Sequence, residues 1–434
     1  MKLTASNMAA SNMPTSNMPA SKLSNARPAP HVDVAVIGAG AFGGWTAFHL
    51  QRRGARVALL DAWGAGHPRG TSSGDTRILR FTYGAKSLYT EWSWRARELW
   101  LEWEKNWRVP LFIPNGVLWL WKEENEYFRE SVAALARLRI AIERLGRADL
   151  SRRFPQICDD GVSFATFEPD AGFLRARLAT ELVAAKVAEH GGDVRIASAT
   201  PPSGAGPRLK RLLLAEGPAT AGHAPKLAGS GTANSEITAD AFVFACGPWL
   251  RNLFPELLQS RLAITRQDVF YFGVPAGDLN FSPPAMPAWC EYETEFYGIP
   301  AFHGSGFKLA NNQGVAGFDP TNGERVADPG NLENARRYLA RRFPALAAAP
   351  LVETSVCQYE RTPDSHLVLD RHPQYENVWI VGGGSGHGFK LGPAVGEFLA
   401  NVVLTGDRER IPAELRLGAS AFPETGALPA KAAF

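Results

Sequence analysis

The sequence predicts an α/β fold of two interleaved domains, one built on a parallel sheet and the other on a mainly antiparallel one. Three observations carry that expectation. A β-branched run closing on a glycine-rich turn and a helix opens the chain at Val32–Leu50, and the same strand–glycine–helix order returns at Asn377–Leu404. Between Leu262 and Phe318 short β-like runs (DVFYFGV, YGIPAF, FKLA) follow one another with no helical pattern between them.

In the first stretch, VDVAVIGAGAFGGWTAFHL, Val32, Val34, Val36 and Ile37 suit one buried parallel strand. Gly38, Gly40 and Gly43 follow in the spacing G-x-G-x-x-G, with Phe42 inside the motif. Gly38 permits the tight turn, Gly40 lets backbone approach a pyrophosphate, and Gly43 lets the helix pack close to the strand. The new helix points its unpaired N–H groups and positive dipole end at the phosphates. RVALLD then gives a second strand ending in Asp61, roughly 20 residues beyond the motif, where a ribose-binding acid belongs. Together these features predict a Rossmann-like dinucleotide-binding unit.

Composition narrows the rest. A chain of 434 residues, 45% apolar and 21% charged, has ample material for a large core and more than one domain. A net charge of +3 gives no support to nucleic acid or an anionic membrane surface as partner. No apolar run approaches the ~18 residues that span a bilayer. Cys158, Cys246, Cys290 and Cys357 are scattered, suggesting neither a disulfide framework nor a zinc site, and a cytoplasmic location is expected.

Residues 1–30 repeat Ser-Asn-Met and are expected to be a disordered extension. After Asp61, a glycine-rich loop leads to Arg77 and Arg80, one turn apart if a helix begins near Asp75. The run Tyr89–Trp107 places Trp92, Leu99, Trp100, Trp103 and Trp107 on one helical face, a stripe that reads as core packing. Gly116–Lys122 reads as a strand, Glu124–Arg147 as a surface helix, and Phe173–His190 as another helix. Asp193–Ala199 returns as a strand, followed over Pro201–Ser235 by a β excursion with a flexible tip. Ala241–Leu250 is a buried strand meeting a glycine turn at Gly247, and Leu332–Phe343 is helical. The expected division assigns 31–90, 168–258 and 355–410 to the dinucleotide-binding domain, and 91–167 and 259–354 to the substrate domain.

GDTRILR (Gly74–Arg80), Arg266-Gln267, FKL around Lys308, Cys357-Gln358-Tyr359, TPDSHLVLD (Thr362–Asp370) and SGHGFKLGPAVGE (Ser385–Glu397) stand in that order. With them the chain, from about Val32 to Leu404, resembles the monomeric sarcosine oxidase family, amine-oxidising flavoproteins of the D-amino-acid-oxidase-like fold. The resemblance implies FAD, bound by Gly38, Gly40, Phe42, Gly43, Asp61, Arg77, Gly247, Gly384, Gly386, His387, Gly388 and Lys390. It implies a thioether from Cys357 to the flavin, a dioxygen-activating role for Lys308, and a substrate-carboxylate clamp made by Arg80 and Lys390. It puts Arg77 and His387 as positive charge near the flavin edge, and Tyr297 and Tyr359 in the substrate pocket. From the residues alone, Cys357 is equally a small buried hydrophobe, Lys308 a surface lysine and Arg80 half of a surface ion pair. Lys390 is equally a solvated helix-terminal lysine, and His387 and the tyrosines are satisfied core residues.

Two departures bear on the substrate. Ser72-Ser73 and Asn312 stand where members acting on sarcosine carry histidines, at positions expected to meet the amine end of a substrate. The resemblance therefore carries over the carboxylate end of the site and not the amine end. The implied activity is oxidation of the C–N bond of a secondary amino acid, N-alkyl or cyclic, to an imine, with dioxygen reduced to hydrogen peroxide in a monomeric enzyme. Its rivals are a dehydrogenase passing electrons to a carrier and a non-catalytic flavin-binding subunit of a larger complex.

Overall fold

The computed structural model describes residues 31–215, 236–418 and 420–422; the N-terminal repeats and the tip expected within 201–235 lie outside them. Five parallel strands form the centre of the first sheet, in the order Asp193–Ile196, Val57–Asp61, His31–Ile37, Glu236–Phe244 and Val378–Gly382. Val34, Ala35 and Val36 are buried, as befits a strand covered on both faces. This order brings the turns after Ile37, Phe244 and Gly382 side by side at the carboxyl edge of one sheet, although they lie hundreds of residues apart in the chain. Crevices for ligands form at that edge of an open parallel sheet.

Helices cover the sheet. Ala41–Arg52 packs against Gly392–Thr405, and Ser87–Trp107 packs on the latter. The tryptophan stripe is core, as its spacing predicts: Trp45 meets Trp100 edge-to-face at 5.2 Å and stacks on Trp107 at 5.6 Å, while Phe48 meets Trp103 at 4.8 Å. Gly396 stands at the closest approach, where an added Cβ would lie 2.6 Å from the backbone carbon of Trp45. None of the helices among the described residues is long and apolar enough to cross a membrane.

The second sheet is mainly antiparallel, with the central order Ala263–Phe272, Phe307–Asn311, Phe296–Ile299, Ala288–Glu291, Val117–Trp121 and Phe164–Glu168. Its one parallel pairing joins Ala288–Glu291 to Val117–Trp121. The helix Pro329–Arg342 seals one face, burying Leu339 with Phe270, Phe272, Trp289 and Phe307. The opposite face looks towards the first sheet. A short third sheet, Phe112–Ile113, Gly172–Arg175 and Thr76–Leu79, touches both halves.

Several segments differ from expectation. Thr76–Leu79 is a strand rather than a helix from Asp75: it pairs with Gly172–Arg175, a partner almost a hundred residues away that no local spacing reveals. For the same reason the helix expected from Phe173 begins at Ala176. The helix expected over Glu124–Arg147 spans Glu126–Arg137, capped by the Asn125 side chain on the Phe128 N–H. Arg139 then turns left-handed (φ 57°), and Glu143–Gly146 joins the antiparallel sheet. The strand Leu351–Arg361 lies wholly in that sheet, and Ser87–Trp107 packs with the parallel-sheet domain, so the sheets cut across the expected boundaries near 91 and 355.

Gly396→Ala is expected to destabilise the protein by about 1–3 kcal/mol, because the Trp45 backbone cannot yield to a methyl group. A lowered urea midpoint at unchanged m-value checks it.

Candidate active site

A cleft along the carboxyl edge of the parallel sheet is lined by Asp61, Trp63, Gly38–Phe42, Arg77, Tyr359, Gly384–Gly386 and Gly388. At its centre Gly38 has φ +102°, and a Cβ there would lie 2.3 Å from the Ala245 carbonyl oxygen. A Cβ at Gly43 would lie 1.8 Å from the Gly38 oxygen. The motif glycines thus let the first helix start against the sheet with its N–H groups facing the cleft. Gly40 is the N-cap and offers no side chain; the Ser72 hydroxyl accepts from the Ala41 N–H at 3.0 Å. The Asp61 carboxylate accepts from the Ala39 N–H at 2.8 Å and from those of Trp63 and Gly64 at 2.9 Å, tying the second strand to the glycine turn. Gly247, with φ +52°, and Gly384, Gly386 and Gly388 complete the lining. Every residue expected to hold the cofactor lines this cleft or the adjoining cavity except Gly43, which acts by packing beneath it.

The smaller cavity shares Arg77, Tyr359, Gly386 and Phe389 with the cleft, and Lys308, Arg80, Lys390, Tyr297 and Cys357 line it together. Lys308 reaches it by strand alternation, since Phe307 and Leu309 point into the core on the other face. Its Nζ donates to the Thr76 carbonyl at 2.8 Å. Burial, reinforced by Arg77, pulls the Lys308 pKa down to about 7. The Arg80 guanidinium lies over the Tyr83 ring at 4.3 Å and the Trp119 ring at 5.2 Å, and donates to the Thr82 carbonyl. Lys390 Nζ donates to the Tyr83 hydroxyl and the His387 carbonyl, both at 2.9 Å; burial and then the Arg80 charge hold its pKa well below the usual lysine value. Arg77 donates to the Thr71 carbonyl at 2.7 Å and to Cys357 Sγ at 3.6 Å. The Tyr297 and Tyr359 hydroxyls meet at 2.9 Å.

These four basic side chains are satisfied by carbonyls, a hydroxyl and a thiol, and no aspartate or glutamate lines the cavity among the described residues. Glu168 acts on Arg80 and Lys390 from outside the cavity, but the lining itself gives these basic groups no counter-ion. A cavity lined in this way can attract an anion.

Two expectations need correction. Ser72 and Ser73 do not line the reaction cavity: Ser72 serves the first helix's N-terminus, and the Ser73 hydroxyl donates to the Gly70 carbonyl at 2.7 Å. Asn312 does line it, with Oδ1 accepting from Arg361 at 3.4 Å and Nδ2 without a partner among the described residues. His387 lines the cavity but does not bring charge. Its Nε2 donates to the Ser365 carbonyl at 2.9 Å, and burial, then Lys390, hold its pKa well below the ordinary value, so the ring is neutral. Arg77 alone of that pair is positive.

Sequence reasoning missed three residues. Tyr83 joins Arg80 to Lys390. Glu168, fully buried, accepts from the Phe81 N–H and the Thr82 hydroxyl at 2.6 Å and from Trp119 Nε1 at 2.8 Å, fixing the segment that carries Arg80. Glu360 lines the cofactor cleft. Only a carboxylate inside an apolar strand run (Phe164–Glu168) hinted at the second, and nothing local at the others.

Fold and site define a dinucleotide-dependent enzyme with a cationic cavity beside the cofactor cleft. A family model described as FAD dependent oxidoreductase (DAO) matches residues 33–402, and the chain belongs to that family. It is 32% identical over 394 residues to monomeric sarcosine oxidase from Bacillus sp. (strain B-0618), covering 87% of this chain and 94% of that one. It is 26% identical to N-methyl-L-tryptophan oxidase of Citrobacter koseri, covering 85% and 94%. Among solved structures it is similar to L-proline dehydrogenase from P. horikoshii, with TM-score 0.72 and 20% identity over 88% of this chain and 95% of that one, a likeness of fold. The chain is thus an FAD-dependent oxidoreductase of the sarcosine-oxidase type.

Proposed function

We propose that this enzyme, acting as a monomer, oxidises the C–N bond of an N-alkyl or cyclic secondary amino acid to the imine and delivers the electrons to dioxygen, forming hydrogen peroxide. The carrying observation is the set of four basic side chains around one cavity that adjoins the cofactor cleft and has no carboxylate in its lining among the described residues. An α-carboxylate supplies the missing negative charge. Arg80 offers its guanidinium fork and Lys390 a second donor, fixing the carbon beside the amine against the cofactor. The names of the bacterial relatives, oxidases of sarcosine and N-methyl-L-tryptophan, support an N-alkyl amino acid as the substrate class.

FAD, when bound, supplies the two-electron acceptor and afterwards the reductant of dioxygen. In the proposal Arg77 holds positive charge beside the ring, Lys308 as ammonium stabilises negative charge developing on dioxygen, and Cys357 carries the thioether. Support for the tether is the position of Cys357 Sγ, lining the reaction cavity within reach of the Arg77 guanidinium.

Arg80→Met is expected to weaken binding of N-methyl amino acids by about 2–5 kcal/mol, read from the substrate dependence of anaerobic flavin bleaching; bleaching as ready as the parent's would sink the clamp. Lys308→Met should slow reoxidation by dioxygen about 100-fold or more while anaerobic bleaching survives. The sign of the parent's pH dependence follows from the depressed Lys308 pKa: the ammonium is present below about 7 and lost above it, so reoxidation slows as pH rises through that value. The variant's rate should be flat across that range. Acid precipitation should leave yellow in the pellet of the parent and release it to the supernatant from Cys357→Ser; yellow released from both would remove the tether.

A further inference from the structure

Glu360 is a buried carboxylate that the reaction as proposed does not use. It sits on the strand Leu351–Arg361, one residue past Tyr359, so alternation turns the two side chains to opposite faces. Tyr359 faces Tyr297 and the reaction cavity; Glu360 faces the turns of Gly247 and Gly384. Its Oε1 accepts from the Gly384 N–H at 3.2 Å, while Oε2 has no partner among the described residues. Glu360 lines the cofactor cleft, and neither glycine beside it carries a side chain: a Cβ added at Gly247 would stand 3.0 Å from Oε2, and one at Gly384 3.5 Å from Oε1. Burial pushes the Glu360 pKa up to about 7, the expense of an acceptor waiting for a donor.

The composition of the cleft points to the donor. The cleft that Glu360 lines holds the first helix's N-terminus at Gly40–Phe42, a place for a diphosphate, and also Arg77 and Tyr359, which it shares with the cavity that Cys357 lines. FAD joins its diphosphate to its ring through a five-carbon polyol, whose hydroxyls are hydrogen-bond donors. A diphosphate would repel a carboxylate, whereas a hydroxyl can donate to one.

We propose that Glu360 accepts hydrogen bonds from the polyol of FAD and so fixes the ring's position relative to the diphosphate cradle. This rests on FAD as cofactor, not on the identity of the amine substrate. The test uses the Cys357→Ser protein stripped of flavin, titrated with FAD and separately with ADP, which fills only the adenosine and diphosphate end. Glu360→Ala should weaken FAD by about tenfold or more and leave ADP unchanged, with Glu360→Gln in between. FAD whose polyol lacks its 2′-hydroxyl should show a smaller loss on the same substitution. Equal weakening of FAD and ADP would make Glu360 a structural residue and overturn the proposal, as would an unchanged FAD affinity. A parent that took up no FAD would overturn the cofactor assignment itself, a result distinct from both.

Discussion

Nearly everything in this structure depends on how closely the first helix lies against the sheet and against the last helix. A side chain at Gly43 would collide with the Gly38 oxygen, and one at Gly396 with the backbone of Trp45. Without those two absences the helix N-terminus would withdraw from the cleft. The turns at Gly247 and Gly384–Gly388 would then no longer face it across a dinucleotide's width. Dense aromatic packing on the other side, with Trp45, Phe48, Trp100 and Trp103 in mutual contact, holds the helix in place. Rigid scaffold and open cleft are two faces of one packing arrangement.

The second sheet answers a different constraint, that of holding basic groups out of water. Strand alternation sends Lys308 into the cavity while its neighbours anchor the strand in apolar core. Glu168 satisfies three donors around Arg80 from outside the cavity, so it positions the guanidinium and acts on its charge without occupying the lining. The two lysines respond to this burial by losing basicity, Lys308 to about 7 and Lys390 to well below the ordinary lysine value. A folded state with lysine pKa values below those of the unfolded chain binds fewer protons. These groups therefore favour unfolding at neutral pH and cease to do so only as pH rises towards the ordinary lysine value. On the proposed reading, stability is given up locally for an anion site, as functional sites often require.

What could be read from the chain follows the range of the interactions. Glycine spacing, strand alternation at Lys308 and the tryptophan stripe are local patterns, and each appears in the structure as expected. Arg77 and Arg80 have a spacing that fits a helix, yet they lie on or just after a strand whose partner, Gly172–Arg175, is invisible to any local window. Ser72 and Ser73 align with residues expected at the amine end, but the 3₁₀ turn over Thr71–Ser73 directs Ser72 to the first helix instead. Tyr83 and Glu360 owe their place to the meeting of segments some 300 and over 100 residues away, Lys390 in one case and Gly247 in the other. Resemblance located the residues of the cavity; only folding shows which of them are charged, as neutral His387 illustrates.

On the proposed reading, the same electrostatics decide how the amine is prepared. A secondary ammonium entering the cavity would meet Arg77 and Arg80 and no carboxylate among the described residues. Positive surroundings and low dielectric both disfavour a second cation, so the bound amine's pKa falls and its proton leaves to solvent. The lone pair needed for oxidation is then exposed without any side chain acting as base. The carboxylate of the same substrate is stabilised by those charges and draws Lys390 back towards its protonated form. On that reading one cluster of basic groups serves both ends, holding the acid and lowering the amine's pKa. The neutral tyrosine hydroxyls and the Asn312 amide leave the amine's substituent to be selected by shape and hydrogen bonding rather than by charge.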